Sequence, residues 1–223
     1  MGAFSGLSNY LEHPLTDYAI QFGYDDANIV ILEGDSNRPQ TEHLMVYQNL
    51  LSCRHHSDRR TPIEYGQDLV ASWVFEDFFL HSMQEEGINI RLSGADRKRT
   101  ILPNQRTSTS SDYIIRNNND EEYFAELVND YTGYWYRYQK LHLRDNKYLQ
   151  LQRRHSLLLA LALTISTQKF AVFDFRQDIP AVYIPSHRPF GHKPAYELNI
   201  SQEMLHDFSI ENIKHQLQEE EII

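Results

Sequence analysis

The spacing of apolar and polar residues divides the chain into recognisable elements. Residues 8–22 carry a helical pattern that Pro14 interrupts or restarts. Residues 28–32 (Asn-Ile-Val-Ile-Leu) read as a short apolar strand, and 41–51 as a helix. A polar, basic loop follows from Ser52 to Thr61 and ends at Pro62. Across 64–84, Leu69, Val70, Trp73, Val74, Phe78 and their neighbours fall at helical spacing, with Asp77 and His81 breaking the apolar face. Gly87 supplies a stop. Residues 88–92 alternate as a half-buried strand does. A polar loop over 93–111 leads to a strand at 113–116, a turn at Asn117–Asp120 and a returning strand at 123–129, which together predict a hairpin. Asp145 offers a cap for a helix running from 146 to about 164. The near-continuous apolar stretch 170–175 predicts a buried central strand. Beyond it Pro180, Pro185, Pro189 and Pro194 suggest irregular chain, before a last helix over 202–217.

From 64 to 175 the order is therefore helix, strand, two-stranded hairpin, helix, strand. This predicts an α/β fold with a central mixed β-sheet flanked by helices. Residues 1–62 read as an N-terminal segment, a dimer arm or a DNA-contacting arm, and 63–223 as the core with a C-terminal helix. Composition agrees, since 41% hydrophobic and 12% aromatic residues suffice for a packed interior. One cysteine, Cys53, excludes a disulfide framework and a cysteine-rich zinc site. The longest apolar run, 157–165, is too short for a bilayer, and the N-terminus lacks the pattern of a secretory signal. The expectation is a cytoplasmic protein with no membrane partner. Charge complicates a nucleic-acid role: 21 Lys and Arg face 31 Asp and Glu, a formal net charge of −10. Distribution matters more than sum, and the bases cluster at Arg54–Arg60, Arg97–Arg99 and Arg137–Arg154.

Two carboxylates stand out within that order. Asp112 opens the first hairpin strand and Glu126 lies in the second, and an antiparallel pair can bring such residues together. Converging carboxylates repel unless a proton or cation sits between them, and a hard divalent cation suits carboxylate oxygens. Spacing alone equally accommodates Asp112 as a turn cap after Ser110 and Ser111, and Glu126 as a solvent-facing strand residue.

The stretch Ser111-Asp112-Tyr113-Ile114-Ile115, followed by Tyr123-Phe124-Ala125-Glu126-Leu127-Val128, resembles the core motif of the PD-(D/E)XK nuclease superfamily, which includes many type II restriction endonucleases. Residues 130–135 and 143–148 also resemble the stretch after that motif in some of these enzymes. The likeness covers about half the chain, 64–175. It implies a core of helix, three strands, helix and strand. It further implies Mg²⁺ held by Asp112 and Glu126, DNA as substrate, and a homodimer with one active site per strand. Ser111 stands where the motif has proline, and Val128 where it has lysine. That lysine orients water or steadies the phosphate, which valine cannot do. Lys147, in the first turn of the next helix and sharing a stripe with Gln150 and Arg154, is the replacement cation. The alternative is a site that has lost its chemistry, leaving a nuclease-fold interaction module in a larger nucleic-acid-processing complex.

Glu76, on the preceding helix, is an additional candidate acid, beside the reading of a solvated helix residue. The tract Tyr131, Tyr134, Trp135, Tyr136, Tyr138, with Arg137 and Lys140, suits base stacking and phosphate contact, or else packing of a hairpin extension. Arg137, Lys140, Arg144 and Arg154 are the expected DNA-backbone contacts; Arg144 and Lys147 oppose the dipole of the helix they begin. The adjacent His55 and His56, and His187 and His192, lack a zinc-site spacing. Cys53 has no evident activating base, and no glycine-rich phosphate loop is present. The leading expectation is a Mg²⁺-dependent endonuclease hydrolysing DNA phosphodiester bonds, of restriction, mobile-element or defence type.

Overall fold

The structure, a computed structural model, describes residues 10–54, 60–94, 98–103, 111–130, 132–164 and 166–223. The chain divides into two units, Met1–Phe79 with Ala95–Ser108, and Leu80–Gly94 with Thr109–Ile223.

The described part of the first unit is helical: α1 (Leu15–Gln21), α2 (Asp26–Glu33), α3 (Arg38–Thr41), α4 (Leu44–Cys53) and most of α5 (Pro62–Glu85). Pro14 stands just before α1, where a missing N–H loses no helical bond. The strand expected at 28–32 is instead α2. A short apolar run permits either state, and the caps decide it. Asp25 accepts a hydrogen bond from the Asn28 N–H, Gly34 closes the helix at φ 77°, and Ala27, Val30 and Ile31 are buried together. A capping box begins α5: Glu64 N–H donates to Thr61 Oγ1 (3.2 Å) and Thr61 N–H to Glu64 Oε2 (2.7 Å). Ala19, Ile31, Leu50, Val70, Trp73, Val74 and Ile101 form this unit's core. At Gly66 a Cβ would lie 3.0 Å from side-chain carbons of Ile31 and Leu50, so glycine permits the close approach of α2 and α4 to α5.

The second unit contains β1 (Asn89–Leu92), β2 (Tyr113–Arg116), β3 (Glu122–Asn129), α6 (Tyr134–Tyr138), β4 (Lys140–Arg144), α7 (Asp145–Arg154), β5 (Leu157–Leu163), β6 (Gln168–Asp174), β7 (Ala181–His187), β8 (Lys193–Asn199), β9 (His206–Asp207) and α8 (Ile210–Glu219). Six strands form a mixed sheet in the order β1-β2-β3-β5-β6-β9, with β3 and β5 parallel and the other pairs antiparallel. A second, antiparallel sheet has the order β4-β8-β7. The fold is thus mixed α/β, with a mixed sheet flanked by helices.

The helix expected over 146–164 stops at Arg154. His155 takes a left-handed φ of 48°, and the backbone N–H groups of His155 and Ser156 close onto Gln152 and Leu151. The following Leu-Leu-Leu-Ala-Leu-Ala-Leu is β5, every residue of it buried, as a central strand covered on both faces must be. Asp145 is the first helical residue of α7, not its cap, which is Arg144. The proline-bearing stretch after 180 is not irregular but forms β7 and β8. Pro185 is tolerated because β7 is at the sheet edge and its pairing is broken between Ile184 and His187. The last helix begins at Ile210, where Ser209 caps the Asn212 N–H (3.0 Å), rather than at 202.

One core of this unit joins Leu141, Leu143, Tyr148 and Leu151 to Leu158, Ala160, Phe173 and Leu198, so α7 and the small sheet pack against one face of the large one. No helix among the described residues is long and apolar enough to cross a membrane.

Candidate functional site

The hairpin register decides whether the two acids can meet. Tyr113 pairs with Ala125, and the same register carried one position further sets Asp112 across from Glu126. Residues directly opposite project to one face of a sheet. Asp112 is held at both ends: its carbonyl accepts from Ser93 N–H (2.7 Å), and its Oδ2 accepts from Leu127 N–H (2.8 Å).

Glu126 is 5% exposed. Its Oε1 is ion-paired with Lys147 Nζ, while its buried Oε2 meets no donor from the described residues, save a proton that the two carboxyl groups could share. Burial pushes the Glu126 carboxyl well above the usual carboxylate range; the Asp112 charge pushes it the same way, and Lys147 opposes them. Along β3, Phe124, Glu126 and Val128 share one face, and α7 lies over it: Lys147 reaches Glu126, and the Arg154 guanidinium sits 5.2 Å from the Phe124 ring centroid. Gln150, between them on the same helical stripe, has a buried Oε1 without a hydrogen-bond partner among the described residues. Val128 packs against the core and offers no polar group.

The geometry therefore brings together Asp112, Glu126 and Lys147. Glu76 lies in the first unit, where its Oε2 accepts from Arg99 Nη1 (2.7 Å). Of the expected DNA contacts, Lys140 is paired with Glu197 (2.7 Å), Arg144 lies 5.6 Å from the Phe190 ring centroid, Arg154 covers Phe124, and Arg137 is exposed. The aromatic tract is α6 rather than a hairpin extension. Its Trp135 is buried with Nε1 donating to Leu161 O (3.0 Å), whereas Tyr134, Tyr136 and Tyr138 are exposed. Tyr131, His55, His56 and Arg97 lie outside the described residues. His192 Nδ1 is 3.2 Å from Ser186 Oγ, and Cys53 Sγ donates to Leu102 O (3.0 Å).

A group that sequence reasoning passed over is Glu197, which also accepts from His142 Nε2 (2.9 Å), with the His187 ring tilted against His142 at 4.3 Å between centroids. Alternation along β8 is its sequence signal, obscured by the neighbouring prolines. Among the described residues, the one group of three acids and histidines close enough for a metal is Asp26, Glu42 and His43, mostly exposed at the surface of the first unit. Glu126 and Asp112 are two acids, not three.

The raised Glu126 carboxyl has a consequence for stability. The folded state holds this proton more tightly than the unfolded chain does, so stability falls as pH rises from about 4.5 through the raised value. Asp112→Asn keeps an acceptor for the Leu127 N–H and removes the repulsion. In EDTA at pH 8 it is expected to stabilise the protein by about 1 kcal/mol, or raise the melting temperature by about 2–4 °C. Thermal melts between pH 4.5 and 8 check this; a lower melting temperature for the variant at pH 8 would contradict it.

No family model matches the chain, and no curated protein sequence matches it.

Proposed function

We propose that the second unit is a Mg²⁺-dependent endonuclease that hydrolyses DNA phosphodiester bonds, with a core of the PD-(D/E)XK type. The observation that carries this reading is the buried Glu126 carboxylate set across from Asp112, with Lys147 against one oxygen and the other meeting no donor N–H or hydroxyl among the described residues. The order α5, β1, β2, β3, α7, β5 supports it, being the one the motif resemblance implies, though α6 and β4 intervene.

An all-oxygen donor set beside an orphaned carboxylate oxygen fits a hard divalent cation, and Asp112 and Glu126 would hold it. When bound, such an ion neutralises charge on a phosphodiester and lowers the pKa of its water. Glu126 must first give up the proton that burial favours, so the site becomes readier for a cation as pH rises. Lys147 supplies the cation that Val128 does not: it balances Glu126 at rest and is near enough to neutralise charge on the phosphate during attack.

Titration calorimetry with Mn²⁺ or Mg²⁺ tests this, with and without DNA. Wild type is expected to bind, and Asp112→Ala/Glu126→Ala is not. Binding by wild type is further expected to strengthen as pH rises, because the ion displaces the Glu126 proton. No binding by wild type in either condition would sink the reading.

One observation favours a second reading, a non-catalytic nuclease-fold module. Lys147 already satisfies half of Glu126 without any metal. In that case Lys147→Met would unfold or weaken the protein, and a protein partner would bind with little salt dependence.

A further inference from the structure

We propose that the outer face of the β4-β8-β7 sheet, with α6 at its edge, binds unpaired nucleotides of a single-stranded nucleic acid. It deepens the nuclease reading by naming a substrate feature and rests on that reading for its purpose, though not for the binding itself.

The observation is a continuous row of rings. Tyr138 and Tyr134, one turn apart on α6, have centroids 4.7 Å apart; Tyr134 is 5.6 Å from His142 on β4; His142 is 4.3 Å from His187 on β7; and His187 is 4.7 Å from Phe190. The Arg144 guanidinium closes the row over Phe190. Each step is a close contact between tilted rings. Buried rings would need no account beyond the core, but Tyr134 and Tyr138 are 44% and 54% exposed, and Leu141 and Leu143 already fill the opposite side of β4.

Charge supplies the second, independent argument. In a chain of net −10, residues 133–144 and 181–199 carry five cations (Arg137, Lys140, Arg144, Arg188, Lys193) against one acid, Glu197, a local net of +4. Glu197 is engaged by Lys140 and His142, which holds its carboxyl below the usual range. Arg137, Arg188 and Lys193 are exposed and have no ion-pair partner among the described residues. A row of rings exposed at its Tyr134–Tyr138 end and half-buried beyond, beside cations that have no ion-pair partner among the described residues, complements a polyanion that offers flat, unpaired bases; a duplex hides those faces within its own stack. Position supplies the third. The row ends at Arg144, and Lys147 follows three residues later in the first turn of α7, one helical turn away. A strand lying on the rings leads toward the acid pair.

The test is fluorescence anisotropy with a labelled oligothymidylate of about 15 nucleotides, within the span of known single-strand sites, in EDTA and low salt. Wild type is expected to bind it more tightly than a duplex of equal length. Tyr134→Ala/Tyr138→Ala is expected to weaken binding by about 10-fold or more, and Phe190→Ala likewise, while Tyr134→Phe/Tyr138→Phe, which keeps the rings, stays near wild type. Circular dichroism confirms folding; the exposed tyrosines can be truncated without opening the core. Failure of wild type to bind, equal binding of duplex and single strand, or no change on removing both tyrosines would each overturn the proposal. So would a dimer whose dissociation follows the same substitutions. EDTA excludes cleavage, so the two readings fail separately: binding without any nuclease activity sinks only the nuclease, and cleavage without ring-dependent binding sinks only this surface.

Discussion

On the proposed nuclease reading, Glu126→Gln and Asp112→Asn are each expected to lower Mg²⁺-dependent DNA cleavage by about 10²–10⁴-fold, the usual scale for removing one group that acts on the reacting atoms. Both changes are isosteric. Asparagine can still accept from the Leu127 N–H that now meets Asp112 Oδ2 at 2.8 Å, so loss of folding is not the expected cause. Lys147→Ala should cost cleavage as well, but by a distinguishable route. It removes the cation that opposes the upward push on Glu126, so the pH at which the enzyme becomes active should shift upward in that variant. In wild type the rate should rise with pH until the Glu126 proton is gone. The measurement is supercoiled-plasmid and oligonucleotide cleavage between pH 6 and 9 with each purified variant. Cleavage at the wild-type rate by either carboxamide variant would remove that acid from the proposed machinery.

Much of the scaffold for this site was legible in residue spacing. The hairpin 113–116 and 123–129 and the long helix near 64–84 emerged with boundaries within one or two residues. The hairpin is legible because two runs rich in aromatic and aliphatic residues flank Asn117–Asp120, a strong turn. Spacing left the register open; the structure supplies it, and with it the opposition of Asp112 and Glu126. Lys147 was singled out through the motif resemblance, as a first-turn cation of the helix after the hairpin; that helix is α7, within the β3–β5 crossover, and it sets Lys147 against Glu126. What spacing could not give was the burial of Glu126 or the ion pair that satisfies half of it. Those depend on how α7 lies over β3, a long-range packing outcome.

The errors have physical causes too. An all-apolar run such as Leu157–Leu163 has no period, so it extends a preceding helix on paper as readily as it begins a strand. The deciding residue was His155, a left-handed position with no glycine to advertise it. Residues 28–32 failed in the same way, with Asp25 and Gly34 as the unread caps. After 180, proline was read as a breaker of any element, whereas an edge strand tolerates it. That error hid β7 and β8, and with them His142's partner Glu197 and the row of rings.

Arg99→Ala is expected to destabilise the protein by about 3–5 kcal/mol at pH 7, the scale for orphaning buried carboxylates. In the first unit Arg99, whose side chain is 11% exposed, donates to Asp77 Oδ1 (2.6 Å) and Oδ2 (3.2 Å) and to Glu76 Oε2 (2.7 Å). Tyr24 O–H adds a bond to Asp77 Oδ2 (2.6 Å), and burial together with the Asp77 charge keeps that hydroxyl protonated far above its ordinary range. Two adjacent acids on α5 thus converge on one guanidinium, which explains why Asp77 could break the apolar face of that helix. Removing the guanidinium leaves both carboxylates little-hydrated and mutually repelling. For a chain of this size the loss corresponds to a drop in melting temperature of roughly 10 °C. Thermal melts of wild type and variant at pH 7 read the difference. The cluster as a whole need not be stabilising. Glu76→Gln, Asp77→Asn and Arg99→Met made together should recover most of the loss, because an ion cluster exchanged entire for neutral groups leaves no uncompensated charge. A melting temperature for Arg99→Ala equal to wild type at pH 7 would show that water already reaches these carboxylates.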